Sequence, residues 1–188
     1  MTQRTHDLAA VASVSYYFLS HIPTELNWES LIGMGVATLL GGITPDIDNI
    51  ASPAWKHKLL PWESEATRTF LEGHRHLSHS LIGLVLFTTM LRLFLFFLRL
   101  PNLHIDPVVT AFLLGYASHL VMDSLTKEGV PWFYPLPFKL GFPPFKVLRV
   151  KTGSWVERLV VFPALLIGTI WMYYEYRTNI FIFIDGVF

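Results

Sequence analysis

The chain has 188 residues, no formal net charge and no cysteine, and only 15% of its residues are charged, well below the roughly 25% usual in soluble domains. Neutrality removes any general pull on nucleic acid or acidic partners. The missing thiol excludes disulfides, thiolate catalysis and cysteine-ligated zinc or iron–sulfur centres. A metal in this protein must be held by imidazole and carboxylate.

The first apolar stretch runs from Leu8 to Leu19, or from Thr5 to Ile22 with its polar ends. The longer count approaches the ~20 residues a crossing needs, so this helix either spans or inserts partly. No small-residue cleavage site follows it, which argues against a removable signal. A second segment, Leu31 to Ile43, is rich in small residues, and its Gly33–Ala37 part suits close packing against a neighbouring helix. Residues 44–80 form a polar region punctuated by Pro45, Pro53 and Pro61, with a short surface helix expected from Glu63 to Leu71.

Leu81 to Leu98 is the strongest spanning candidate; its Arg92 lies near enough to the far end to snorkel. Pro107 suits the first turn of another apolar helix, which carries His119 and Asp123 near its end. Residues 126–155 hold five prolines with aromatics between them, so they cannot form a regular helix. They read as a lipid-surface or substrate-covering loop, with a short hairpin from Phe145 to Lys151. A last apolar helix reaches about Tyr174, and Trp171 to Arg177 reads as an aromatic belt.

The expected fold is all-α: one membrane-embedded domain over residues 1–188. It is a polytopic bundle of about five apolar helices, or four if the first is only partly inserted. Crossings at roughly 5–22, 30–44, 80–98, 107–124 and 157–175 put both long polar regions, 44–80 and 125–156, on one face. That face also carries eleven of the fourteen Lys and Arg residues, which marks it as cytoplasmic, with the N-terminus. His6, Asp46, Asp48, His74, His79, His119, Asp123 and Glu157 all fall at the same ends of their segments. A soluble helical protein with a large core is the competing architecture, but so few charges would leave it little solvated face.

His119 and Asp123 are four apart and share one helical face. Asp46 and Asp48 alternate, so in extended backbone both carboxylates face one cavity, where a cation would relieve their repulsion. His74 and His79 converge if a helix begins between them. His76 stays ambiguous among ligand, base and bystander. Arg75 is a candidate for holding an anionic substrate oxygen. Ser78 and Ser80 read as caps, because a serine nucleophile would need an elbow and no Gly-x-Ser-x-Gly is present.

These motifs resemble those of the YdjM-type family of bacterial and archaeal inner-membrane proteins. The resemblance rests on Thr5-His6, Pro45-Asp46-Ile47-Asp48, His74-Arg75 with His79-Ser80, Ser118-His119 with Asp123 and Thr126, and Gly153-Ser154 leading to Glu157. It implies a metal-dependent hydrolase of the inner membrane, with LexA binding attributed to some members. It also implies His6, Asp46, Asp48, His74, His79, His119 and Asp123 as metal ligands, with Arg75, Thr126 and Glu157 in support. Catalytic work is expected of Asp46, Arg75, Asp123 and Glu157. Zero charge and the lack of a helix-turn-helix signal argue against direct nucleic-acid binding.

So many ligands suggest two divalent ions, zinc favoured and manganese or iron also fitting, bridged by Asp46 or Asp123 and acting on a phosphoester. Placement at a membrane surface makes a phospholipid or lipid phosphate the preferred substrate, and membrane lipid the main partner, with a protein partner as a further option. Three rivals remain: a one-zinc ester or amide hydrolase, a metal-stabilised interaction protein without catalysis, and a metal transporter. A transporter would place its ligands near mid-membrane.

Overall fold

A computed structural model describes residues 1–23, 26–46 and 77–185. Within them lie α1 (Gln3–Ser20), α2 (Trp28–Ile43), α3 (Leu81–Leu98), α4 (Ile105–Ser124), α5 (Phe162–Glu175) and α6 (Arg177–Asp185). A 3-10 turn, Thr44–Asp46, prolongs α2, and a π-turn, Glu157–Val161, leads into α5. The expected helix at Glu63–Leu71 lies outside the described residues.

The helix starts follow from local chemistry. The Asn27 side chain accepts the Ser30 N–H at 2.9 Å to cap α2, and Ser80 accepts the Gly83 N–H at 3.1 Å to cap α3. Each satisfies a backbone donor that the first helical turn leaves unpaired. Ser80 is thus a cap, as its sequence context indicates. Pro107 sits in the first turn of α4, where the N–H it lacks would have no helical partner.

Helix α4 is the hub, packed against α1, α2 and α3, most heavily against α2. Its core side chains, Val108, Ala111, Phe112, Tyr116 and Leu120, meet Val14 and Phe18 of α1 and Met34 and Ala37 of α2. The α2–α4 approach is close because two glycines face backbone: a Cβ on Gly41 would fall 2.3 Å from the Phe112 carbonyl oxygen, and one on Gly115 2.6 Å from that of Thr38. The Gly33–Ala37 part of α2 also packs on α4, with a Cβ on Gly33 falling 3.0 Å from the Val108 side chain and Ala37 buried, though less tightly than Gly41, and Gly35 meets nothing within 4 Å among the described residues.

The count of crossings needs correction. Among the described residues two helices are long and apolar enough to span, α3 and α4, and the π-turn–α5 helix joined to α6 makes up to three. Five was too many. Helix α2 has 16 residues, about 24 Å of rise against a hydrocarbon core of about 30 Å. Helix α1 carries Gln3, Arg4, His6 and Asp7 in its first two turns. The last pair is bent by 67° between Glu157–Glu175 and Arg177–Ile184. The two clear spans also differ in surroundings: half of α4's span is buried, against 11% of α3's, so α3 is the more exposed of the two.

Residues 125–156 form a braced loop of turns and isolated bridges, Thr126 with Val150 and Val130 with Leu140. The hairpin expected from Phe145 to Lys151 is absent, and a 3-10 turn at Lys146–Leu148 stands there instead.

Candidate metal centre

Four elements meet at one end of the bundle. The first turn of α1 brings His6, which is 1% exposed. Its setting is fixed from the far end of the sequence by Glu157, whose carboxylate is buried. Glu157 Oε1 accepts the Thr2 N–H at 2.6 Å and the Thr2 and Thr5 hydroxyls at 2.8 Å each, and Oε2 accepts the Gly153 N–H at 2.7 Å. A helix's first N–H groups lack intrahelical partners and favour negative charge nearby. Glu157 supplies that charge and so ties the start of α1 to the π-turn.

The end of α2 contributes a carbonyl and a carboxylate. Gly42 is in the last turn, so its carbonyl has no helical donor, and it accepts the His119 Nδ1–H at 2.7 Å. That bond leaves His119 Nε2 with its lone pair aimed into the centre. The following 3-10 turn carries Asp46. His79 arrives on the turn before α3, which the buried Tyr116 hydroxyl holds by donating to the Ser78 carbonyl. The Ser78 hydroxyl lies 3.2 Å from His79 Nδ1, so Nε2 faces the carboxylates.

Asp123 stands in the middle. Its Oδ1 lies 3.1 Å from His6 Nε2 and also takes the N-terminal ammonium. Its Oδ2 lies 3.5 Å from His119 Nε2 and 3.7 Å from His79 Nε2. Asp46 reaches His79 with Oδ1 at 3.6 Å and His119 with Oδ2 at 3.8 Å. The rings of His6 and His119 stack nearly parallel, 3.7 Å between centroids. Two groups of three, His6–His119–Asp123 and Asp46–His79–His119, could each hold a divalent cation.

The residues fit a metal on two counts. Among the described residues, neither nitrogen of His6, nor Nε2 of His119, has a hydrogen-bond partner; the close His6–Asp123 approach is not aligned for one. Leaving a buried polar atom unsatisfied costs about 1–3 kcal/mol, a penalty a cation would remove. Second, tetrahedral ligands at 2.0–2.1 Å from zinc lie about 3.3 Å from one another, and the nitrogen–oxygen separations here run from 3.1 to 3.8 Å. Protonation states agree. Burial holds the His6 imidazole below its usual range, with Asp123 acting in the opposite sense, which favours the neutral form that binds metal. Burial alone would raise the Asp46 carboxyl, but His79 and His119 bring it below the usual carboxylate range.

Of the expected ligands, His6, Asp46, His79, His119 and Asp123 converge. Asp48, His74, Arg75 and His76 lie outside the described residues. Glu157 belongs to neither group of three, and Thr126 donates its hydroxyl to the Asp123 carbonyl at 2.7 Å, holding the backbone behind that ligand. Two contributors escaped the sequence reading, the Gly42 carbonyl and the Tyr116 hydroxyl. A carbonyl carries no residue-type signal, and the tyrosine lies 38 positions from its partner.

The family model for the YdjM inner membrane protein matches residues 1–180. The chain belongs to that family. It is 28% identical over 185 residues to the inner membrane proteins YdjM of Escherichia coli (strain K12) and of Shigella flexneri, covering 95% of this chain and 86% of each relative. It is 25% identical over 184 residues to the uncharacterized protein YvsG of Bacillus subtilis (strain 168), covering 96% of this chain and all of the relative. No solved structure matches it significantly. Family and helix pattern together make this YdjM-family chain a multi-pass inner-membrane protein with two candidate His/Asp clusters.

Proposed function

We propose that the protein is a membrane-embedded, metal-dependent hydrolase acting on a phosphoester carried by a lipid or another amphiphile. The observation that supports this most is the convergence of buried imidazole nitrogens, unpartnered among the described residues, with two carboxylates at the end of a candidate spanning helix. Divalent cations in such a site supply a water-derived nucleophile at neutral pH and polarise phosphoryl oxygens.

The chain's own residues do the rest. His119 Nε2 has one lone pair and serves one ion, so the two groups of three cannot both use it. Asp123, with Oδ1 toward His6 and Oδ2 toward His79 and His119, would help to hold both ions. The second ion would then have His79, His119, Asp46 and Asp123, and the first would have His6 and Asp123 among the described residues. Asp46, His79 and Asp123 keep partial exposure while His6 and His119 have almost none, so a substrate phosphate enters on the Asp46–His79 side. Glu157 acts as a positioning residue, holding Thr2 and Thr5 so that His6 faces Asp123. We assign Arg75 to a nonbridging phosphate oxygen, and the site to the cytoplasmic face on the strength of its basic residues.

The sharing of His119 also supports a second reading, a single zinc within the same five residues that hydrolyses an ester or only stabilises the fold. Elemental analysis of detergent-purified protein, with Asp46→Asn and His79→Ala beside it, separates the two. Two metal equivalents, reduced in variants that still elute as folded protein, together with metal-dependent release of phosphate or headgroup from phospholipid, is the expected result. One equivalent favours the single-zinc reading. Unfolding of both variants with no turnover by the parent chain favours a structural ion.

A further inference from the structure

The loop of residues 126–150 is fastened to the ends of the two clear spans. Ser124, the last residue of α4, accepts the Phe142 N–H at its carbonyl and the Trp132 indole N–H at its hydroxyl, both at 2.8 Å. Leu81, the first residue of α3, donates its N–H to the Trp132 carbonyl at 3.0 Å. Since α3 and α4 are the two unbroken helices among the described residues long and apolar enough to cross, these bonds tie the loop to the ends of both candidate spans.

The loop is stiff as well as placed. Val130 and Leu140 exchange backbone bonds of 2.7 and 2.8 Å, and the buried Arg149 guanidinium donates to the Pro143 and Pro144 carbonyls. Gly141 makes room for that guanidinium, since a Cβ there would lie 2.5 Å from an arginine nitrogen. On this brace the apolar side chains point away from the protein: Phe142 is 67% exposed, Phe145 72%, Val147 88% and Leu148 65%. Apolar residues exposed in a run mark an interaction surface, unlike those scattered singly. Exposed Lys139, Lys146 and Lys151 are interleaved with them. Residues 126–155 carry five basic side chains against Glu128 alone.

We propose that this loop is a rigid wedge sunk into an anionic lipid leaflet. Phe142, Phe145, Val147 and Leu148 enter the acyl boundary, and the lysines stay among the headgroup phosphates. The wedge needs no catalysis to operate. Because it hangs on Ser124, the neighbour of Asp123, it sets the level of lipid phosphates relative to the candidate metal centre.

The natural absence of cysteine allows a direct test. Single variants Phe145→Cys and Val147→Cys carry a nitroxide in nanodiscs of phosphatidylglycerol and phosphatidylcholine. Met90→Cys, exposed midway along α3, and Thr152→Cys, exposed in the polar segment, calibrate the depths. Power saturation with oxygen and a neutral nickel chelate should place the labels at 145 and 147 nearer the Met90 value than the Thr152 value. Nickel access equal to that at 152 overturns the wedge. Shielding from both reagents also overturns it, because protein, a substrate cover or a second copy, would then occupy the loop's face. Combined Lys139→Gln, Lys146→Gln and Lys151→Gln should shift the label at 147 outward in phosphatidylglycerol discs but not in pure phosphatidylcholine. An equal shift in both, or none in either, removes the anionic component. None of these readings depends on turnover, so the wedge and the hydrolase stand or fall separately.

Discussion

At the scale of single residues, the centre turns on which oxygen of Asp123 faces which imidazole. Oδ1 looks to His6 and Oδ2 to His79 and His119. Under the proposed two-ion reading, removing His6 should cost one ion and removing Asp123 should cost both. We expect His6→Ala to retain about half the parent's metal by elemental analysis, and Asp123→Asn to retain almost none, each as folded protein. Equal, partial losses in the two variants would contradict a shared role for Asp123. Much of this was legible in the sequence. His119 and Asp123 announce themselves by their four-residue spacing, and Asp46 by its place at the end of an apolar segment. The orientation of His119 was not legible, because it depends on a backbone carbonyl 77 residues away, and any residue type supplies a carbonyl.

At the scale of helices, apolar runs located α1 to α5 within a few residues, missed α6 (Arg177–Asp185) and overstated how many cross. A run of apolar residues records burial without saying whether lipid or protein does the burying, and α2 is short and pressed against α4. Proline density in residues 126–155 correctly excluded a helix, yet their turns depend on the Arg149 brace, which no local pattern carries. The α2–α4 seam yields a sharper expectation. Gly41→Ala and Gly115→Ala would drive a methyl group into backbone, and overpacking of this kind destabilises by about 1–3 kcal/mol. Gly35→Ala and Gly168→Ala, which meet nothing within 4 Å, should be neutral or stabilising by up to ~1 kcal/mol. Thermal unfolding in detergent distinguishes the two pairs, and similar shifts in all four would contradict the seam.

At the scale of the whole molecule, the centre draws on the beginning, the middle and, through Glu157, the last third of the chain. An ion bound there joins α1, the end of α2, the turn before α3 and α4. Chelation should thus lower the unfolding temperature of the entire bundle, with recovery on adding metal back. Free metal at a hundred times its dissociation constant contributes about 2.7 kcal/mol per site. An unfolding temperature indifferent to chelator, in protein shown to have carried metal, would contradict a tie among four elements. The clustering of ligands at one end was legible because it follows from the order of polar and apolar segments. Their convergence within a few ångströms depends on helix packing, which that order does not specify.

The clasp of Thr5 by Glu157 spans 152 positions of chain, and this has a consequence for biosynthesis. Translation at about 5–20 residues per second puts the two residues on the order of ten seconds apart at the ribosome. Throughout that interval the first helix exists without the carboxylate that orients it, and for most of it His6 also lacks His119 and Asp123. The centre cannot take shape as the chain emerges. Under the proposed metal-dependent reading, an ion would therefore be acquired only after most of the chain has been made.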